Sequence, residues 1–180
     1  MNKNVAILAT DGFEESELKA PKEALENEGW TAHIVSLKSG EIKSWTAGNW
    51  GSSYKVDKTL DEVSAGDYDA LVLPGGVINP DKLSVEAKAL KFVKGFFEAK
   101  KPVGAICHGP WTLINADVVK GREMTSYKSI KQDLINAGAV WSDEEVVTDQ
   151  GLVTSRDPND LPAFCRKMVE EIKEGIHSEA

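Results

Sequence analysis

The stretch "KPVGAICHGPW", Lys101 to Trp111, decides the reading of this chain. Its apolar run, Pro102 to Ile106, has the length of a buried strand and stops at Cys107. Gly109 and Pro110 follow, residues that make a turn and open a helix. A cysteine that only fills a core sits inside a strand or a helix. Cys107 sits on the corner between them. Strand, nucleophile, helix is the arrangement of a nucleophile elbow, which lifts one side chain above a sheet edge. Gly109 lets the turn tighten without a Cβ, and Ala105 keeps its other side small. A thiol there faces unpaired N–H groups at a helix N-terminus, so a lowered pKa is expected.

Two more apolar runs end in the same manner. "NVAILAT" (Asn4–Thr10) stops at Asp11-Gly12, and "ALVLPGG" (Ala70–Gly76) stops at Pro74-Gly75-Gly76. Between the strand patterns run helical ones. Leu18, Ala24 and Leu25 line a helix over Glu14–Gly29, with Pro21 inside it as a kink or a restart. Leu83, Ala87, Leu90, Val93 and Phe97 line another, which Asp81 starts and caps after Pro80. "TAHIVSL" is a second strand, and Ile42–Val56 reads as an excursion of hairpins. Gly138 closes a helix before a further strand. "EEVVTDQGLVTS" is a strand, a glycine turn and a strand. A last helix runs from Asp160 or Pro162 to Gly175. The expected fold is therefore α/β: a three-layer α/β/α sandwich with a mostly parallel sheet, flavodoxin-like, in one domain over residues 1–180. Several strands are apolar throughout, as suits a sheet covered on both faces. Ligands of such sheets bind at the carboxyl ends of the strands. The ends at Thr10-Asp11, Pro74-Gly75-Gly76 and Cys107 then share one rim.

Composition narrows the function. The net charge of -8 argues against nucleic acid or an anionic membrane as main partner. No segment approaches the roughly 18 apolar residues of a membrane span. The short first apolar run, followed by acidic residues, reads as a strand and not as a signal peptide. Two cysteines, Cys107 and Cys165, make no disulfide scaffold and fit a cytoplasmic protein with free thiols, Cys165 packing in the last helix. No dinucleotide or phosphate-loop fingerprint occurs. His33, His108 and His177 are scattered and suggest no zinc site, so chemistry without cofactor or metal is expected. His33 reads as structural.

"AICHGP" (Ala105–Pro110) resembles the nucleophile motif of the PfpI family of intracellular cysteine peptidases. That family belongs to the class I glutamine amidotransferase-like superfamily and is related to the Parkinson-associated protein deglycase. "FEESEL" (Phe13–Leu18), "LPGG" (Leu73–Gly76), "NPD" (Asn79–Asp81) and "TSRDPNDLPAF" (Thr154–Phe164) resemble family motifs in the same order. The resemblance implies a cysteine-dependent hydrolase with Cys107 as nucleophile and Glu17 hydrogen-bonded to its sulfur. It implies that His108 joins the cysteine and that Asp81 of a neighbouring subunit orients His108. A homodimer or a hexamer of dimers would follow. The N–H groups of Gly75, Gly76 and His108 could form an oxyanion hole. A protonated Glu17 would stabilise the thiolate, with its own pKa raised by the adjacent negative group. Arg156 orients the Asp157–Asp160 loop and could reach the elbow. Trp111, Val77 and Ile78 make the rim narrower and more apolar. Candidate substrates are a small carbonyl compound, handled in a deglycase or glyoxalase manner, or a peptide or glycated protein. The alternative is a redox-responsive stress protein in which Cys107 oxidation is the function.

Overall fold

The computed structural model describes residues 2–176; His177 and the rest of the polar tail lie outside the described residues. β1 (Asn4–Leu8), β2 (Thr31–Ser36), β5 (Lys58–Thr59), β6 (Ala70–Leu73), β7 (Val103–Ile106), β10 (Val147–Asp149) and β11 (Leu152–Ser155) form one seven-stranded sheet. Its order is β10-β11-β7-β6-β1-β2-β5. The pairs are parallel except β10 with β11, which the Gln150-Gly151 turn joins antiparallel. Successive side chains of β1 enter opposite cores. Val5 and Ile7 pack with Leu18 and Leu25 of α1 (Glu15–Asn27) and with Phe164, Met168 and Ile172 of α6 (Leu161–Glu174). Ala6 and Leu8 pack with Phe92, Val93 and Phe96 of α3 (Ala87–Glu98) and with Leu113 of α4 (Pro110–Asn115). The three-layer sandwich expected from the alternating pattern is what the chain builds.

Chain direction reverses its walk across the sheet between β1 and β6, the position where open α/β sheets leave a crevice. Leu73 pairs with Ala105, and Ile106 with Ser155, so β6, β7 and β11 end level with one another. The polar excursion is a hairpin of β3 (Glu41–Thr46) and β4 (Asn49–Lys55), on which Trp45 and Trp50 pair edge to face. β8 (Glu123–Met124) and β9 (Val140–Trp141) form a small parallel pair around α5 (Lys131–Asn136). Among the described residues no helix is long and apolar enough to cross a membrane.

Three local expectations need correction. Pro21 starts no second helix: it lies buried within the single helix α1, on the stripe of Leu18 and Leu25. Asp81 caps no helix. It lies inside α2 (Ile78–Leu83), with its N–H on the Val77 carbonyl, and its side chain is exposed. α2 and α3 are separate helices. The Ser84 hydroxyl donates to the Pro80 carbonyl where α2 ends, a local bond that competes with helix propagation. The break resets the phase. The buried positions of α3 are Ala89, Phe92, Val93 and Phe96, whereas Ala87 is exposed.

Candidate active site

The corner after β7 is strained in the manner an elbow requires. Cys107 has φ 62, a left-handed conformation that costs a non-glycine residue about 1–2 kcal/mol. Three backbone bonds hold it there. Cys107 N–H donates to Ser155 O (3.1 Å), Tyr127 N–H donates to Cys107 O (2.9 Å), and Gly109 N–H donates to Ile106 O (2.9 Å). Gly109 is needed for close approach: a Cβ there would stand 2.5 Å from Leu73 O and 2.9 Å from Ile106 O. Both neighbours are backbone and cannot swing aside.

Glu17, on the first turn of α1, is fully buried beneath this corner. Its Oε1 accepts the N–H of Gly75 at 2.9 Å, while Oε2 has no partner in an aligned geometry. Burial pushes the Glu17 carboxyl up to about 8, and Glu14 and Asp157 add to the rise through their charges. The Gly75 N–H opposes it. The thiol of Cys107 stands close enough to interact with this carboxyl. Gly75 admits the contact because it lacks a side chain; a Cβ would lie 2.5 Å from Glu17 Oε1 and 2.8 Å from Cys107 Cβ. Gly76, at φ 80, has the Gly12 carbonyl against the place a Cβ would fill. Asn79 locks this loop. It accepts from Thr10 N–H at 2.8 Å and donates to the carbonyls of Pro74 (3.1 Å) and Gly75 (3.2 Å), tying the end of β1 to the loop after β6.

The thiol itself departs from the expected lowering. Burial pushes it up, and an ionised Glu17 pushes it further, against the pull of the His108 and Gly76 N–H groups. With Glu17 near 8, however, the carboxyl is neutral at pH 7. It then carries no charge to oppose a thiolate and has an O–H to offer it. The two acids are coupled, and the charge of the first to ionise opposes ionisation of the second. Gly75 also needs correction. Its N–H belongs to Glu17, so the donors facing sulfur are Gly76 and His108.

His108 does face its neighbour. Nδ1 is 3.2 Å from Cys107 Sγ, and Nε2 is 3.0 Å from Ser129 Oγ. The ring stacks on Tyr127 at 4.9 Å and is flanked by Trp111 at 6.1 Å. Burial lowers its pKa and so favours the neutral imidazole. Arg156 serves the loop instead of the elbow. Its guanidinium takes both oxygens of Asp160 and one of Asp143, while Asp157 accepts from Asn159 N–H. Of the rim pair, Val77 is 54% exposed, whereas Ile78 packs against Gly12. His33 bonds Tyr68 OH at 3.0 Å, a structural role as expected. No described contact joins Asp81 to His108, and among the described residues no cluster of three metal-ligating side chains occurs. A cleft of about 850 Å³ between α3 and the Ser64–Gly66 turn includes none of these residues.

Sequence reasoning missed Asn79, Tyr127 and Ser129 as individuals. Asn79 lay within the "NPD" motif. Tyr127 and Ser129 return to the elbow from some twenty residues downstream, and no spacing rule foretells that return.

A family model described as the DJ-1/PfpI family matches residues 3–171. "Deglycase PfpI" of Pyrococcus furiosus is 44% identical over 169 residues, 94% of this chain and 99% of that protein. "Protein/nucleic acid deglycase 2" of Escherichia coli (strain K12) is 44% identical over 168 residues, 93% of this chain and 96% of that one. The crystal structure of Drosophila melanogaster DJ-1beta superposes with a TM-score of 0.86 at 27% identity, covering 97% of this chain and 95% of that chain.

Proposed function

The chain belongs to the DJ-1/PfpI family, and from that premise we propose that it is a cysteine-dependent enzyme acting on small carbonyl compounds, in the manner of a deglycase or glyoxalase. The observation that carries the reading is Cys107 at φ 62, its sulfur 3.2 Å from His108 Nδ1 and beside the fully buried Glu17. The thiolate adds to the aldehyde carbon of methylglyoxal. A C–S bond forms and the C=O electron pair moves to oxygen. The N–H groups of Gly76 and His108, which interact with the sulfur, are the donors proposed to receive that oxyanion. A proton from His108 or Glu17 converts it to the hemithioacetal, and the same group can take a proton back as general base.

Depth favours a small substrate. Cys107 is 8% exposed, and His108 equally so, which leaves little access for an extended peptide. Turnover of methylglyoxal beside a panel of fluorogenic peptides, with wild type and Cys107→Ala, separates the two. The expected outcome is methylglyoxal loss that vanishes in the variant. Peptide cleavage that depends on Cys107 and exceeds methylglyoxal turnover would refute the small-carbonyl reading.

A second reading rests on the same neutral Glu17. Peroxide oxidises a thiolate to sulfenate with release of water, and a second equivalent gives sulfinate, which an O–H donor stabilises. Intact mass after graded peroxide supports this reading if two oxygens settle on Cys107 and opposes it if Cys165 takes them up first. The protein is taken to act in the cytoplasm as one catalytic domain. Asp81 of a second copy is taken to approach His108 in a homodimer or a hexamer of dimers; exposed Asp81 and Val77 on α2 and its N-terminal flank support that face as the contact.

A further inference from the structure

His108 already has a partner on its second nitrogen within its own chain. Nε2 lies 3.0 Å from the Ser129 hydroxyl while Nδ1 lies 3.2 Å from Cys107 Sγ. We propose that Ser129 is a positioning residue: it holds the imidazole with Nδ1 on the sulfur and supports either neutral tautomer while the thiol proton moves on and off the ring. This rests on the reading of Cys107 as the nucleophile.

The chemistry follows from what each partner can offer. A neutral imidazole has one N–H and one acceptor nitrogen. With the proton on Nε2, that N–H donates to Ser129 Oγ, and Nδ1 is free to accept the thiol proton; the ring is then an imidazolium until Nε2 gives its proton through Ser129 Oγ to water, which leaves the Nδ1–H tautomer. With the proton on Nδ1, the N–H donates to the thiolate, and Ser129 turns its O–H toward Nε2. A hydroxyl does both by rotating. A carboxylate in its place only accepts, and it holds the ring as imidazolium. The surroundings suit the neutral ring. Within its own chain Tyr127 stacks on one face, Trp111 lies beside it, and the titratable groups facing it are the Cys107 thiol with Glu17 behind and the Tyr127 phenol; the proposed assembly adds the Asp81 carboxylate of a second copy. Ser129 is exposed in the short turn Lys128–Ile130, so protons leaving Nε2 meet water through its oxygen. The turn is anchored at the elbow itself, because Tyr127 N–H donates to the Cys107 carbonyl. The residue that holds the ring is therefore tied to the residue the ring serves.

The test uses the rate of Cys107 alkylation by iodoacetamide from pH 5 to 9, read by intact mass, with methylglyoxal turnover measured alongside. Ser129→Ala is expected to slow alkylation at pH 7 about fivefold or more, and to lower kcat about tenfold with KM little changed. Ser129→Thr keeps the hydroxyl and restores most of both. Ser129→Asp raises the imidazolium pKa and moves the acid limb of the alkylation profile upward by about one unit. Thermal midpoints of all three identify any variant that fails to fold. An alkylation profile in Ser129→Ala that overlays wild type overturns the proposal, as does a loss that Thr does not restore. Alkylation needs no substrate, so a protein inert toward methylglyoxal would defeat the proposed activity while the alkylation profiles still decide the role of Ser129.

Discussion

At the scale of the residue, the decisive pair is Glu17 and Cys107. The sequence placed Cys107 on a corner, and family motif selected Glu17 from three glutamates in "FEESEL". What it could not reveal is how deep the carboxyl lies, because α1, the loop after β6 and the elbow bury it together. Depth has a consequence for stability. Glu17 takes its ordinary value near 4.5 when unfolded and about 8 when folded. The folded chain therefore holds the proton more tightly. The contribution is intact below pH 4.5 and is lost as pH rises toward 8, at most roughly 5 kcal/mol over that window. Glu17→Gln keeps an oxygen for the Gly75 N–H and cannot ionise. Urea unfolding at pH 5, 6.5 and 8 should show the variant gaining on wild type at each step. A constant difference across the three would contradict a buried, proton-holding Glu17. The raised thiol is the matching lesson: helix-terminus reasoning predicted a lower pKa, and burial outweighs a helix of six residues.

At the scale of the element, the strand–turn–helix corner was legible because β6 and β7 are fully buried and their ends carry glycine and proline where a turn must be tight. The α2–α3 break was not legible, since Leu83 to Phe97 keeps a helical spacing across the end of α2 at Ser84. Gly75 was assigned the oxyanion on position alone, and only the fold discloses that its N–H is already donated. Gly109 tests the elbow as a unit. Gly109→Ala forces a methyl against two carbonyl oxygens and should cost roughly 2–3 kcal/mol in urea unfolding, with turnover falling further than stability explains. Gly66→Ala is the control. Its Cβ meets only Ser64 Oγ, at 3.6 Å, and should shift stability by less than about 0.5 kcal/mol. Equal effects at the two positions would remove the argument that the corner is tight by necessity.

At the scale of the whole molecule, the alternating apolar pattern was enough to reach a mostly parallel sheet, and the seven strands, parallel except β10 with β11, bear that out. Assembly is a different matter, because one chain's pattern does not say what its exposed face meets. If Asp81 serves a second copy, then mixing inactive Cys107→Ala with weakened Asp81→Ala should recover turnover through hybrid sites, and light scattering should find no monomer at working concentration. A fully active monomer would end that proposal. The central claim, that Cys107 is the group that reacts, is tested most directly by alkylation with limiting iodoacetamide near pH 8. Peptide mapping and methylglyoxal turnover are followed on the same samples. Burial pushes both thiols up, but among the described residues only Cys107 has an imidazole nitrogen, His108 Nδ1, 3.2 Å from its sulfur to take its proton. The account predicts label on Cys107 first, with turnover falling in proportion to that label. Turnover that survives complete Cys107 labelling, or falls with Cys165 labelling instead, would contradict it.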